Sequence, residues 1–355
     1  MKAIKRIIIW IIISIIGQVA VLFYVNNYLF ASEDVSGSIV SKKIEDGKDR
    51  EKKNVDIIIP KDAKNLALSF DGSYAAYYKD DVFKVVDIYT GDEKTVDLED
   101  KLKVSFFKWA PDRNIIMISA KKEYNNSAKF LFYSYDAERD MAAKLETKEE
   151  DETAFVTSKT SEVEDIQLSP FTNMTYIKTA LSGGRNSIHS INIMKRINKV
   201  DTQVYFIGDI RIVPNDDKIA YEANTKNKVY ITGKTKSITI EGVDKLALID
   251  VDDNDNIYVG QVEETQGSTK IKNIYYGTSE DNSSQWKALS LSEPVNKKDI
   301  FISRNGNVYI NDDLKGIVTE LKSGKQTKYK GIFLQMYNGG VSSISDEKLL
   351  ETALK

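Results

Sequence analysis

The chain has 355 residues, is 41% hydrophobic and 29% charged, carries a formal net charge of −3, and contains no cysteine. This composition supplies ample apolar side chain for a large core, and the missing thiols exclude disulfides, thiolate metal sites and a cysteine nucleophile. Both signs of charge are interspersed without a cationic stripe, so nucleic acid is not an expected partner. Nineteen tyrosines and thirteen phenylalanines against five prolines favour strands.

In chain order, Lys2, Lys5 and Arg6 precede the apolar run Ile7–Val25, broken only by Ser14, Gly17 and Gln18. As a helix this run is about 28 Å long, close to the ~30 Å hydrocarbon core of a bilayer. Trp10 near one end and Tyr24 and Tyr28 near the other stand where interfacial aromatics belong. The cations hold the N-terminus in the cytoplasm, so residues 1–31 read as a cytoplasmic start and a single transmembrane signal anchor in the cell membrane, with all that follows extracytoplasmic. The competing reading is a cleaved signal peptide ending near Leu29-Phe30-Ala31. The apolar run exceeds the roughly 7–15 residues of such peptides, which favours the anchor. Residues 32–53 hold twelve charged residues and no aromatic or proline. Such a segment cannot bury enough surface to offset its ordering entropy and is expected to be a disordered polar stalk.

The folded domain is expected over residues 54–345. Leu66–Tyr77 reads as a strand, a tight polar turn and a second strand, and the unit recurs around Trp109–Ile118, Leu168–Tyr176, Val213–Tyr221, Leu248–Val259 and Ile300–Ile310. Taking Phe70, Pro111, Pro170, Pro214, Asp253 and Arg304 as equivalent, the spacings are 41, 59, 44, 39 and 51. They fall in the range of propeller-like arrays. Third strands follow most copies, as in Val82–Ile88 and Phe130–Tyr135, and four short strands per repeat make one antiparallel blade. Inner segments such as Leu66-Ala67-Leu68 and Ile115–Ile118 are apolar on both faces, as blades stacked face to face require.

The Ser69-Phe70-Asp71-Gly72 and Ala110-Pro111-Asp112 turns, with the Asp87–Gly91 ending, resemble the repeats of TolB-like and WD-repeat-like six-bladed β-propellers, including the propeller part of dipeptidyl-peptidase-IV-type proteins. The turn at Asp250–Asn256 is more similar to that of bacterial NHL-type blades. The resemblance covers about residues 55–345 and implies an all-β β-propeller with six blades, seven being the alternative. Asn54–Ile59 is expected to add the outer strand of the last blade and close the ring, which removes exposed sheet edges. Gly331–Ile344 is left over, as the start of a seventh blade. Residues 346–355 read as a short helix capped by Ser345.

No catalytic or cofactor-binding residue stands out. The single histidine, His189, has no metal-ligand spacing, and neither an HExxH nor a GxSxG string occurs, so the hydrolase half of the resembled peptidases is missing. Asp250, Asp252 and Asn254 imitate the alternate oxygen ligands of a calcium loop, but Asp255 replaces the bend glycine and Gln261 the closing glutamate. These residues read as a turn, and no metal or other cofactor is expected. The carboxylates Asp80-Asp81, Glu149–Glu152 and Asp312-Asp313 fall in turns and in the polar insertion Lys144–Glu164. Trp109 and Trp286 are assigned to the core rather than to a sugar or peptide site. The expected function is a non-enzymatic binding or scaffold module presenting its propeller face to a protein, peptide or glycan. The alternative is a cell-surface glycosidase or lyase with carboxylates at the channel.

Overall fold

The computed structural model describes residues 55–355, except 81, 99–101, 150, 266–267 and 282–284, together with scattered positions between Arg6 and Leu22. The chain divides into residues 1–51 and 52–355. In the first unit the described positions are helical. Among the described residues no helix is long and apolar enough to cross a membrane. Most of Ile7–Val25 and the whole of residues 32–53 lie outside the described residues, so the anchor and the stalk stay expectations.

The second unit is a set of seven antiparallel sheets. Blade 1 holds β1 (Lys64–Leu68), β2 (Tyr74–Lys79), β3 (Val82–Asp87) and β4 (Glu93–Thr95). Blade 2 holds β5 (Lys103–Trp109), β6 (Ile115–Glu123), β7 (Ser127–Asp136), β8 (Met141–Lys144) and β9 (Ala154–Ser158). Blade 3 holds β10 (Glu162–Leu168), β11 (Thr175–Ala180), β12 (Asn186–Ile191) and β13 (Ile197–Val200). Blade 4 holds β14 (Ile207–Val213), β15 (Lys218–Ala223) and β16 (Lys228–Ile231). Blade 5 holds β17 (Leu246–Val251), β18 (Ile257–Thr265), β19 (Ser268–Gly277) and β20 (Lys287–Asn296). Blade 6 holds β21 (Ile300–Ile302), β22 (Val308–Asp312), β23 (Ile317–Glu320) and β24 (Gln326–Lys328). Blade 7 holds β25 (Ile332–Tyr337), β26 (Gly340–Ser345) and β27 (Lys348–Ala353).

The core lies between blades. Seven apolar clusters occupy the seven blade-to-blade interfaces, including the one that joins blade 7 to blade 1. Successive residues of one strand feed opposite interfaces: Ile116 and Ile118 pack toward blade 1, whereas Met117 packs toward blade 3. This alternation is the physical reason that the second strands are apolar throughout, and a ring of such sheets is a β-propeller.

The six-blade expectation is corrected to seven. The segment taken as left over, Gly331–Ile344, supplies β25 and β26, and the expected terminal helix at 346–355 is instead β27. Asp346 and Glu347 both adopt left-handed backbone, with φ of 52° and 66°, and turn the chain directly from β26 into β27. That two-residue turn is a hairpin connection, and Leu349 beyond it is buried in the cluster between blades 7 and 1. The polar insertion is also more ordered than expected, because β9 within it pairs with β7.

Closure by the segment before blade 1 takes place, but on blade 7 rather than blade 6. The Ile59 amide donates to the Glu347 carbonyl at 2.8 Å, and the Leu349 amide donates to the Ile57 carbonyl at 2.9 Å. Ile57 and Ile59 point into the cluster between blades 7 and 1.

Gly72 lies at the same seam. It has a φ of 78°, and an added Cβ would approach the Glu351 carboxylate to 2.6 Å and the Tyr337 ring to 2.9 Å. Gly183 has a φ of 74° with open space around it. Gly72→Val should therefore cost about 3 kcal/mol, and Gly183→Val only the backbone strain of about 1 kcal/mol. Thermal unfolding of the two variants measures this; equal shifts would mean that blade 7 does not pack on the Gly72 turn.

Candidate functional site

The first strand of each blade lines the axis of the ring. In six of the seven, β1, β5, β10, β14, β17 and β25, the pairing with the second strand is interrupted by a register irregularity. A bulge twists its strand and re-aims side chains, and bulges gather next to functional sites. Here they re-aim polar residues of β10 and β14. Glu164 is the extra residue of β10, and Gly208 and Asp209 oppose the single residue Glu222 between β14 and β15.

Those two adjacent bulges build a polar cavity of about 730 Å³ on the face that carries the blade-to-blade connections, here termed the connection face. Lys178 contacts the Glu164 carboxylate at 3.2 Å and donates to the Gly208 carbonyl at 2.8 Å. Lys297, from the connection between blades 5 and 6, stands 2.7 Å from both the Asp209 and the Glu222 carboxylates. Burial favours a neutral Asp209, but the charge of Lys297, with Arg211 and Lys178 behind it, outweighs this and holds its carboxyl below the usual range. Glu222 is only 7% exposed. Gly208 is required by space: a Cβ there would overlap the Asn224 amide and reach 3.0 Å from the Glu222 carboxylate.

Charge continues along the axis. Arg211 pairs with Asp250 at 3.0 Å. Burial alone would lower the guanidinium, but Asp250, Asp165 and Asp209 together raise its pKa and keep it charged. At the opposite face, formed by the turns between first and second strands, Arg304 of blade 6 donates to Asp253 of blade 5 at 2.8 Å. Its other arm donates to the Pro111 carbonyl of blade 2 at 3.1 Å, across the ring. A second cavity of about 660 Å³ beside it is mainly apolar, walled by Trp109, Phe301, Met336 and Tyr337 among others.

The residues singled out from sequence are dispersed. Asp250 is engaged by Arg211, whereas Asp252 turns its oxygens to the Asn254 and Asn256 amides and to the Tyr258 hydroxyl. Among the described residues, no group of three or more His, Asp or Glu is arranged to hold a metal ion. Glu152 is clamped by Lys129 and Lys144, Glu149 faces Arg196, and Asp312 pairs with Lys315. Trp109 is buried and donates its indole N–H to the Ala67 carbonyl at 3.1 Å, so it joins blades 1 and 2. Trp286 packs against the cluster between blades 4 and 5. The connection-face cavity was not legible in the sequence, because its residues come from three blades and only the bulges assemble them. The one local signal is charge placed within apolar inner strands, as in Asp209-Ile210-Arg211.

His189 stacks on Phe155 of the neighbouring blade with centroids 4.1 Å apart. Burial, and secondarily the charge of Lys199, push its pKa down to about 4. The unfolded chain binds this proton below about pH 6.5 and the folded chain only below about 4, so stability should fall as pH drops through that window. At ~1.4 kcal/mol per unit the ceiling is ~3 kcal/mol, and solvent screening of the half-buried ring brings the expected loss to ~1–2 kcal/mol. Because His189 is the sole histidine, His189→Phe should flatten chemical denaturation midpoints between pH 6.5 and 5. An unchanged slope would contradict the buried neutral imidazole.

No protein-family model matches the sequence, and no curated protein is significantly similar to it. Among solved structures, the chain is similar to the β-propeller domain of Myceliophteria thermophila Cps50 (Swd1), with a TM-score of 0.51 and 9% identity over 85% of this chain and 100% of that one. It is also similar to a prolyl endopeptidase, with a TM-score of 0.50 and 11% identity over 86% of this chain and 51% of that one. A weaker likeness is to Pyrococcus horikoshii acylaminoacyl peptidase, with a TM-score of 0.43 and 16% identity over 78% and 46% of the two chains. The chain spans about half the length of the two peptidases. The protein is a β-propeller, and the expected likeness to WD-repeat-like and peptidase-type propellers holds for the fold.

Proposed function

We propose that the protein is a membrane-tethered, extracytoplasmic binding module whose connection face receives a protein, peptide or envelope polymer without chemical conversion. The observation that carries this reading is the state of the cavity carboxylates. Asp209 and Glu222 share the Lys297 ammonium, and Glu164 is held by Lys178. Asp209, held below the usual carboxylate range beside the Lys297 ammonium, has no proton to donate as a general acid and little basicity to offer as a base, and the Glu222 and Glu164 oxygens are each engaged by a lysine. The same wall carries groups with no hydrogen-bond partner among the described residues, namely the side chains of Arg185, Asn224 and Asn227, and these are available to a ligand. The tether rests on Lys2, Lys5, Arg6 and the apolar run after them.

A photoreactive residue at position 224 in cells should yield a covalent adduct, and one at Arg139, on the far rim, should not. Equal adducts, or robust turnover of glycans or peptides that is lost in Asp209→Asn and Glu222→Gln, would overturn the reading in favour of a glycosidase or lyase. Protease added to intact protoplasts should remove the propeller, and a protected full-length chain would refute the topology.

A further inference from the structure

We infer that the connection-face cavity binds an anionic saccharide, with Arg185 taking its carboxylate or phosphate and Phe206 packing against its sugar ring. The inference rests on the binding-module reading above and names its ligand class.

The side chains that remain free on the cavity wall set the chemistry. Arg185 is exposed and its side chain forms no ion pair or hydrogen bond with any described residue, although it stands among Glu164, Asp209 and Glu222. Each of those acids is instead matched by Lys178 or Lys297, so the guanidinium fork remains open to an outside anion. Three cations face three anions in this wall, which leaves no net charge to repel such a ligand. Asn224 and Asn227 present side-chain amides, groups that donate and accept and so match sugar hydroxyls.

The rim supplies the apolar contact. Tyr205 is 69% exposed and Phe206 42% exposed. The backbone of both is held: the Asn186 backbone N–H donates to the Tyr205 carbonyl at 2.7 Å, and the Asn224 backbone N–H donates to the Phe206 carbonyl at 3.2 Å. The Phe206 ring lies beside Gly184, which lines the cavity, and the Ser182–Gly184 turn carries the chain directly into Arg185. A large exposed ring beside the edge of a polar cavity offers flat apolar area, which suits the C–H face of a sugar.

A peptide is the weaker fit to this mouth. Capture of a peptide by its side chains needs an apolar pocket, which this polar wall does not supply. The apolar cavity is on the opposite face, beside Trp109 and Phe301.

The test is titration of the full-length chain, in mild detergent, with trigalacturonic acid, a glycerol-phosphate trimer, neutral galactotriose and an acidic hexapeptide. At least one of the two anionic ligands should bind roughly tenfold or more tighter than galactotriose. Which of them binds separates carboxylate from phosphate recognition. Arg185→Ala should weaken it by about tenfold or more, Arg185→Lys by less, and Phe206→Ala by about threefold to tenfold. Unchanged melting temperatures would show these variants folded. Equal binding of the neutral trisaccharide, indifference to Arg185→Ala, or preference for the hexapeptide overturns the inference. If no saccharide binds while the residue-224 crosslink still forms, the ligand class falls and the binding module stands. If neither occurs, both fall.

Discussion

A chain that begins at Lys61 should unfold at far lower temperature than one that begins at Lys53, and should associate through exposed edges. The segment removed contains Ile57 and Ile59, which are 5% and 4% exposed in the cluster joining blades 7 and 1. Burying two such side chains contributes about 3–6 kcal/mol at most, a large part of the ~5–15 kcal/mol that holds a typical domain folded. Removal also strips the Leu349 amide and the Glu347 carbonyl of their partners and leaves β27 as an open edge. Calorimetry and light scattering on the two chains provide the check. Equal melting and a monomeric Lys61 chain would mean that the ring closes without this strand. A chain that lacks only residues 32–52 should melt normally, because so charged a sequence without aromatic residues has little apolar surface to bury.

Lys297→Ala should be the most damaging single change at the connection face. It removes the cation shared by Asp209 and Glu222, whose carboxylates then face each other across one bulge. Glu222 is 7% exposed, and leaving such a charge unpaired costs about 3 kcal/mol. Lys297→Met combined with Glu222→Gln should recover most of that loss, because the buried charge is then gone as well. Denaturant midpoints of the single and double variants measure both effects. A neutral Lys297→Ala, or a double variant no better than the single, would contradict the clamp.

Much of the fold was legible because a blade is a local object. The turns at Phe70, Pro111, Pro170, Pro214, Asp253 and Arg304 mark six of the seven first hairpins. The seventh escaped because its hairpins turn in two residues each, Asn338-Gly339 and Asp346-Glu347, and leave no room for the longer Ser-Pro-Asp-Gly pattern. The second of these also depends on left-handed backbone at two acidic residues, which composition does not announce, so that in sequence Ser345 looks like a helix cap. The candidate site was less legible still. Glu164, Asp209, Glu222 and Lys297 are far apart in sequence and meet only because bulges in β10 and β14 turn toward one mouth. Register shifts of this kind follow from packing across the whole blade.

The central claim, a seven-bladed ring closed by residues 55–59, can be tested by one disulfide. Ile58 and Lys348 oppose each other in antiparallel pairing, flanked by the Ile59–Glu347 and Leu349–Ile57 hydrogen bonds. That makes them a non-hydrogen-bonded pair, whose Cα atoms lie about 4.5 Å apart, within the range a disulfide spans. The natural chain has no cysteine to compete. Ile58→Cys with Lys348→Cys should oxidise spontaneously to an intramolecular bond, visible as a reducible mobility shift, while Ile58→Cys with Lys328→Cys, at the outer strand of blade 6, should keep both thiols free. Free thiols in the first pair, or a bond in the second, would contradict the closure and the blade count together.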